Sequence, residues 1–408
     1  MSDFVLRPLT DTDRDWVAAF IARQWGAEIV VAHARLFADH GYAVQVIAGR
    51  GKAFDTRVPI EIIREADSKS PRVLKVNAEL ARGIASEKFH ALVNDLSRQL
   101  TRSLAKCDVL IAHNVLSLHK NLALTASLKN LADAHKIKII AWCHDFAWSD
   151  PQYASDVHPG APWEWLKQPW AGVKYVVVSE ARKDELRKLW NAGNPIAVVP
   201  PGIDAGEFLG ITKTTMRWAR DLALLDTAPL LLLPARLTRR KNIERAMEIT
   251  VALIERGINA KLIVTGPLGP HNPSNAAYLK QLRARRKSLG VENAVVFRYE
   301  FGVVSDAILR DLYLLSDALL FPSEREGFGI PLLEAGLARL PIFCTDLPPF
   351  RETACEYAHY FSPDESADAI AAQITTFFEN DRVYQMKKRV VTEFGWEKIF
   401  VQQIEPLL

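Results

Sequence analysis

From about residue 26 onward, short apolar runs alternate with helix-length amphipathic segments, and that alternation leaves few folds open. The runs are Ala43–Ala48, Asp108–Ala112, Ile137–Trp142, Tyr175–Val178, Ile196–Val199, Leu230–Leu233, Lys261–Val264, Ala294–Phe297, Ala318–Phe321 and Pro341–Cys344. Their apolar character is nearly continuous, as expected of strands buried on both faces of a parallel sheet with helices on either side. About ten such strands are too many for one compact, doubly wound sheet of ordinary size. Two α/β domains are expected, each a doubly wound parallel sheet.

The break between them is expected in Val199-Pro-Pro-Gly-Ile-Asp204, where two prolines end a strand and a glycine permits a sharp turn. This divides the chain into residues 1–203, 204–395 and a terminal apolar-faced helix, 396–408, expected to return to the first domain. The beginning is less regular. Asp13–Gln24 has helical periodicity with Trp16, Phe20 and Ile21 on one side, and only Phe4–Leu9 offers a weak strand before it.

Composition narrows the function classes. The 408 residues carry 51 Lys+Arg against 48 Asp+Glu, a formal charge of +3, too little for a chain that blankets nucleic acid. Cys107, Cys143, Cys344 and Cys355 form no CxxC pair and lie in or beside apolar runs, so they read as buried thiols in a reducing compartment. No apolar run reaches the roughly 18 residues of a membrane span, and no basic-then-apolar leader opens the chain. A cytoplasmic location with at most peripheral membrane association is expected.

The most informative window is Phe321-Pro-Ser-Glu-Arg-Glu-Gly-Phe-Gly-Ile-Pro-Leu-Leu-Glu-Ala335. A strand runs out at Phe321, a loop carries Gly327 and Gly329, and Pro331 suits the first turn of a helix. Free N–H groups at such a helix start, here Gly327, Phe328, Gly329 and Ile330, form an anion site. Glu326 and Glu334, seven residues intervening, are placed to meet opposite ends of one elongated ligand. Arg236 and Lys241 follow the strand Leu230–Leu233, and strand ends are where doubly wound sheets bind ligands. In the first half, His113-Asn114 and His144-Asp145 each follow a strand. A zinc reading of His113, His119, His144 and His158 fails on spacing, so no metal site is expected.

These windows resemble glycosyltransferase family 4, the retaining nucleotide-sugar transferases of GT-B fold. The resemblance rests on the window above, Pro234-Ala-Arg-Leu-Thr-Arg-Arg-Lys-Asn242, Leu315–Ser323 and Val199–Asp204, and covers roughly residues 26 to 408. It implies two Rossmann-like domains facing a cleft. It also implies that Arg236 and Lys241 grip the donor diphosphate, Glu326 holds sugar hydroxyls, Glu334 holds the ribose, and His144 lies near the donor sugar. Gly266 and Pro267, in Thr265–Pro273, are expected near the nucleotide. His113, Asn114, Asp145 and Gly26, the last resembling part of the family's glycine-rich loop with Trp25 where a second glycine is usual, fall on the acceptor side. The implied activity is hexose transfer from GDP-mannose or UDP-glucose to a small-molecule, oligosaccharide or lipid-linked hydroxyl, with no cofactor and no required metal. A sugar-nucleotide epimerase and a nonenzymatic nucleotide-sugar-binding protein share enough of this pattern to stand as alternatives. Residues 1 to about 37 also resemble the opening of a GNAT-type acetyltransferase, but the acyl-CoA phosphate loop does not follow.

Two segments read as structural. Pro162-Trp-Glu-Trp-Leu-Lys-Gln-Pro-Trp170 is expected to pack its tryptophans onto the domain, although such faces can stack on sugars. Arg283-Ala-Arg-Arg-Lys287 is expected to be a solvated helix face.

Overall fold

The computed structural model describes residues 17–21, 27–135, 137–190, 195–267 and 274–408. The chain divides into two compact units, residues 1–202 with 396–408, and residues 203–395. Each is built on its own parallel sheet.

The first sheet comprises β1 (Val17–Ile21), β2 (Val44–Ala48), β3 (Ile60–Ile62), β4 (Val109–His113), β5 (Lys138–Cys143), β6 (Val173–Val177) and β7 (Ile196–Val198), in the order β3-β2-β1-β4-β5-β6-β7. Successive residues of β4 enter opposite layers, as strand geometry requires. Val109 and Ile111 join Val30, Ala34 and Phe37 of the helix α1 (Ala27–Asp39), while Leu110 and Ala112 join Leu92, Leu96 and Leu128 on the other face. Both faces are therefore dry, which is why these strands read as continuous apolar runs.

β1 corrects the helical expectation for Asp13–Gln24. Val17–Ile21 is a central strand, paired in parallel with β2 (Val17↔Val44) and with β4 (Val17↔Val109). Ala18 and Ala19 favour helix intrinsically, but two flanking ladders outweigh propensities of roughly a few tenths of a kcal/mol per residue. Phe4–Leu9, Gly26 and the other residues of 1–16 and 22–26 in the acetyltransferase-like opening lie outside the described residues.

The second sheet comprises β8 (Leu230–Leu233), β9 (Lys261–Val264), β10 (Val295–Phe297), β11 (Ala318–Phe321), β12 (Ile342–Thr345) and β13 (His359–Phe361), in the order β10-β9-β8-β11-β12-β13. The short edge strands β3 and β13 were not expected. Each has only three residues, with alternation too brief to register.

In both sheets the strand order reverses in the middle, between β1 and β4 and between β8 and β11. Loops leaving the strands there diverge to opposite faces and open a crevice at the carboxyl ends.

The end of the chain belongs to the first unit. A short helix, Trp396–Ile399, passes into a π-helical turn, Phe400–Ile404. Ile399, Phe400 and Ile404 are fully buried in the α1 layer, and Phe400 meets the rings of Phe37 and His40 at 4.8 and 4.4 Å.

Other expectations meet mixed outcomes. Cys107, Cys143 and Cys344 are buried, but Cys355 is exposed, because it caps a seven-residue helix at the surface. Trp163 and Trp170 are buried in the first unit, with the Trp170 Nε1–H donating to the Trp165 carbonyl at 2.9 Å. The basic run is paired rather than simply solvated: Arg283 and Arg286 reach Glu300 at 2.8 and 3.2 Å, and Arg285 reaches Glu248 at 2.9 Å. No described helix is long and apolar enough to cross a membrane.

Candidate active site

The reversal point of the second sheet gathers most of the charged residues singled out from the sequence. The chain leaves β8 at Leu233, passes Arg236, and makes a tight turn at Arg239–Lys241 before the helix α2 (Ile243–Glu255). It leaves β11 at Phe321 and passes Glu326 before the helix α3 (Ile330–Leu337). The two loops are joined by their backbones, with the Glu324 N–H donating to the Arg240 carbonyl at 2.9 Å.

A second tie holds the β8 loop to the loop after β9. The Gly266 N–H donates to the Ala235 carbonyl at 2.9 Å, and the Leu237 N–H to the Pro267 carbonyl at 3.1 Å. A Cβ on Gly266 would fall 2.0 Å from that Ala235 oxygen, so only glycine permits this approach. Gly266 and Pro267 thus position the backbone on either side of Arg236. The rest of that loop, residues 268–273, lies outside the described residues.

Lys241 and Glu326 form the centre of the cluster. Their side chains are each only 9% exposed, and the Lys241 ammonium donates directly to Glu326 Oε1. Arg240 takes the other carboxylate oxygen at 2.8 Å. Lys241 Nζ also lies 4.6 Å from the centre of the Phe321 ring. Burial alone would raise the Glu326 pKa, but Lys241 and Arg240 together hold it below the ordinary glutamate value. For Lys241 the balance runs the other way, because desolvation lowers its pKa by more than Glu326 restores.

Arg236 stands apart. It is exposed, and among the described residues no hydrogen bond or ion pair engages its guanidinium. Nor does any described acceptor take the N–H groups of Gly327, Phe328, Gly329 or Ile330. Gly329 makes this helix start possible. Its φ is +96°, and an added Cβ would lie 2.9 Å from the Phe350 ring. Gly327 faces open space.

Glu334 does not share a partner with Glu326. Its carboxylate accepts from the Tyr313 hydroxyl at 2.6 Å, and both residues line a cavity of about 370 Å³ with Arg310, Asp306 and Leu337. Burial, then this carboxylate, pushes the Tyr313 pKa up and keeps the hydroxyl protonated.

The first sheet holds a separate group at its carboxyl edge. His113 ends β4 and His144 follows β5, and their rings meet with Nδ1 of His113 3.3 Å from Nε2 of His144. Asn114, at φ 57°, accepts the His144 N–H at 2.7 Å and the Asp145 N–H at 3.3 Å through its side-chain oxygen. Asp145 reaches Arg182 at 3.3 Å. His119 and His158 go elsewhere, to Asp156 at 3.1 Å and to the Ala81 carbonyl at 3.1 Å, so the four histidines do not assemble.

Three participants were not expected. Arg240 lies in Pro234–Asn242, but nothing in its spacing marks it as a glutamate partner. Tyr313 sits one helix away from Glu334 with no motif of its own. His33, fully buried against Trp142 and Trp396 at 4.6 and 5.2 Å, occupies an otherwise apolar face of α1 and reads from sequence as a core histidine.

Comparison with known proteins places these halves in families. The Glycosyltransferase Family 4 domain matches residues 26–207, and the domain described as Glycosyl transferases group 1 matches residues 216–392. The serotype-specific mannosyltransferase WbdA of Escherichia coli is 30% identical over 39% of this chain and 19% of its own length. Mannosylglucosylglycerate synthase of Petrotoga mobilis is 24% identical over 65% of each chain. D-inositol 3-phosphate glycosyltransferase of Actinosynnema mirum is 31% identical over 41% of this chain and 40% of its own. The chain thus spans less than two thirds of the length of each of these relatives. A solved glycosyltransferase structure from Rickettsia africae aligns over 93% of both chains at 16% identity, with a TM-score of 0.35, too loose a likeness to argue from. The two matched domains fall on the two sheets in turn, and the chain has the two-domain GT-B fold, a Glycosyltransferase Family 4 domain followed by a group 1 domain.

Proposed function

We propose that this protein transfers a hexose from a nucleoside-diphosphate sugar to a hydroxyl acceptor, retaining the anomeric configuration and needing no divalent metal. The observation that carries the reading is the β8–β11 crevice, where Arg236 and the N–H groups of residues 327–330, none with a partner among the described residues, adjoin the Lys241–Glu326–Arg240 cluster.

A leaving nucleoside diphosphate gathers negative charge as the glycosidic bond loosens. Arg236 offers a planar fork and Lys241 a point charge to those oxygens, and the start of α3 adds aligned N–H dipoles. Such groups stabilise the charge that develops more than the charge already present. Glu326 has both oxygens engaged by cations and a depressed pKa, which suits orienting sugar hydroxyls and ill suits a nucleophile or base. Retention then follows if the donor's own phosphate oxygen takes the acceptor proton on the face that the leaving group vacates. Glu334 is the ribose ligand in this reading, because a carboxylate can accept from two vicinal hydroxyls. His144 belongs with the sugar, and Asn114 and Asp145 with the acceptor side, where the buried His113 acts only through its contact with His144.

GDP-mannose and UDP-glucose are the first donors to test, since two of the relatives above are named for mannosyl groups. A cytoplasmic setting would supply both. A thermal-shift panel of GDP-, UDP- and ADP-sugars tests the reading, because a ligand at 100 times its dissociation constant adds about 2.7 kcal/mol. One donor class should raise the melting temperature and be consumed with a hydroxyl acceptor. No shift with any nucleotide sugar would contradict the proposal.

A further inference from the structure

His113 and His144 share one hydrogen bond, and its direction decides what His144 can offer a ligand. Both rings are neutral at physiological pH. Burial, with its like-charged histidine neighbours, holds His113 well below the usual histidine value, and burial lowers His144 to about 4. A neutral imidazole carries its proton on one nitrogen, and the other is an acceptor. One ring therefore donates across the 3.3 Å contact between His113 Nδ1 and His144 Nε2.

The surroundings of His113 choose between the two directions. Its ring is 1% exposed, stacked on Trp142 at 5.4 Å and flanked by His33 at 5.3 Å. Its Nε2 is sealed, with no hydrogen-bond partner among the described residues. If His144 donated from Nε2, His113 would accept at Nδ1, and its proton would be forced onto that sealed Nε2. A buried N–H with no acceptor is among the rarest defects in folded proteins, whereas an acceptor with an unused lone pair is better tolerated. If His113 donates from Nδ1, only a lone pair is sealed. His144 then accepts at Nε2 and carries its own proton on Nδ1. That nitrogen has no partner among the described residues, and His144 is only part-buried.

We infer that His113 is a positioning residue that locks His144 in the Nδ1–H tautomer, so that the first sheet's carboxyl edge presents a hydrogen-bond donor for a hydroxyl or phosphate oxygen. Asn114 completes the device by accepting the His144 backbone N–H and fixing where the ring projects. His33, edge-on to Trp142 and Trp396, packs His113 into its stacked orientation. In this tautomer the open nitrogen of His144 is no base, so it orients an oxygen rather than removing a proton. Naming that oxygen as part of a sugar donor or acceptor rests on the proposed transfer activity. The tautomer does not.

Nitrogen NMR of protein labelled with ¹⁵N-histidine tests this without turnover, with the His144 signals assigned by their loss in His144→Gln. The expected pattern at neutral pH is a protonated Nδ1 and a bare Nε2 on His144. The reverse pattern, or averaging between the two, overturns the inference. His113→Asn can place an amide N–H where Nδ1–H stood and should preserve the pattern, whereas His113→Phe should let the His144 tautomers mix. An unchanged pattern in folded His113→Phe overturns the role of His113, and a pattern lost in folded His113→Asn does the same. Should His113→Phe not fold, the wild type and His113→Asn decide. At saturating donor, kcat should fall in His113→Phe, by up to the roughly 10²-fold that a 1 Å misplacement can cost, and recover in His113→Asn. If no sugar donor is turned over, the transfer reading fails while the NMR result still decides the tautomer.

Discussion

Arg236 and Lys241 lie five residues apart on one loop, yet one is exposed and unengaged while the other is sealed against Glu326. Removing the Arg236 guanidinium therefore breaks no hydrogen bond or ion pair among the described residues. Arg236→Ala should leave the melting temperature unchanged and lower transfer about 10²–10³-fold, the usual loss when one preorganised donor is deleted. Glu326→Gln combines two effects. It leaves the buried Lys241 short of a charged partner, costing about 1–3 kcal/mol in denaturant unfolding. It should also impair turnover while nucleoside diphosphate affinity largely survives. The same pair makes stability depend on pH with a definite sign. Glu326 titrates below its ordinary 4.5 in the folded chain, so its contribution is complete above 4.5 and is lost as the pH falls through the folded value. The stability gap between wild type and Glu326→Gln should therefore close in acid, and a gap that widened there would contradict the ion pair.

At the scale of elements, the strands at the two crevices were legible to different degrees. β8 and β11 are four-residue apolar runs buried on both faces, a signal that burial itself writes into the sequence. β1 carries no such signal. Its two alanines and the charged residues before it imitate a helix, and only its pairing with β2 and β4 makes it a strand. Hydrogen exchange should find the amides of Val17–Ile21 as protected as those of β4, and rapid exchange there would remove β1 from the sheet. The loops show the same contrast. Glu326, Lys241 and the helix start at Ile330 could be named from residue type and position after a strand. The pairing of both Glu326 oxygens, and the Tyr313 contact to Glu334, could not, because they arise between segments distant in sequence. Gly329→Ala should cost about 1–3 kcal/mol, since its positive φ is strained for any other residue and the Phe350 ring occupies the space.

At the scale of the whole molecule, two sheets with the same order reversal carry different chemistry, cations and helix-start amides on one, a histidine pair on the other. The last residues of the chain are part of the first unit's core, so unit and sequence order do not coincide. Phe400→Ala should destabilise that unit by about 3–5 kcal/mol, the range for emptying a fully buried aromatic site. The central claim is that the second unit holds a nucleoside diphosphate at its reversal point and uses it as a leaving group. The most direct measurement is transfer by wild type and Arg236→Ala at saturating nucleotide sugar, alongside calorimetric titration of both with the matching nucleoside diphosphate. Wild type should bind the diphosphate and turn the donor over, and Arg236→Ala should lose more in kcat than in affinity. Equal turnover by the two proteins, or no binding of any nucleoside diphosphate by the wild type, would contradict it.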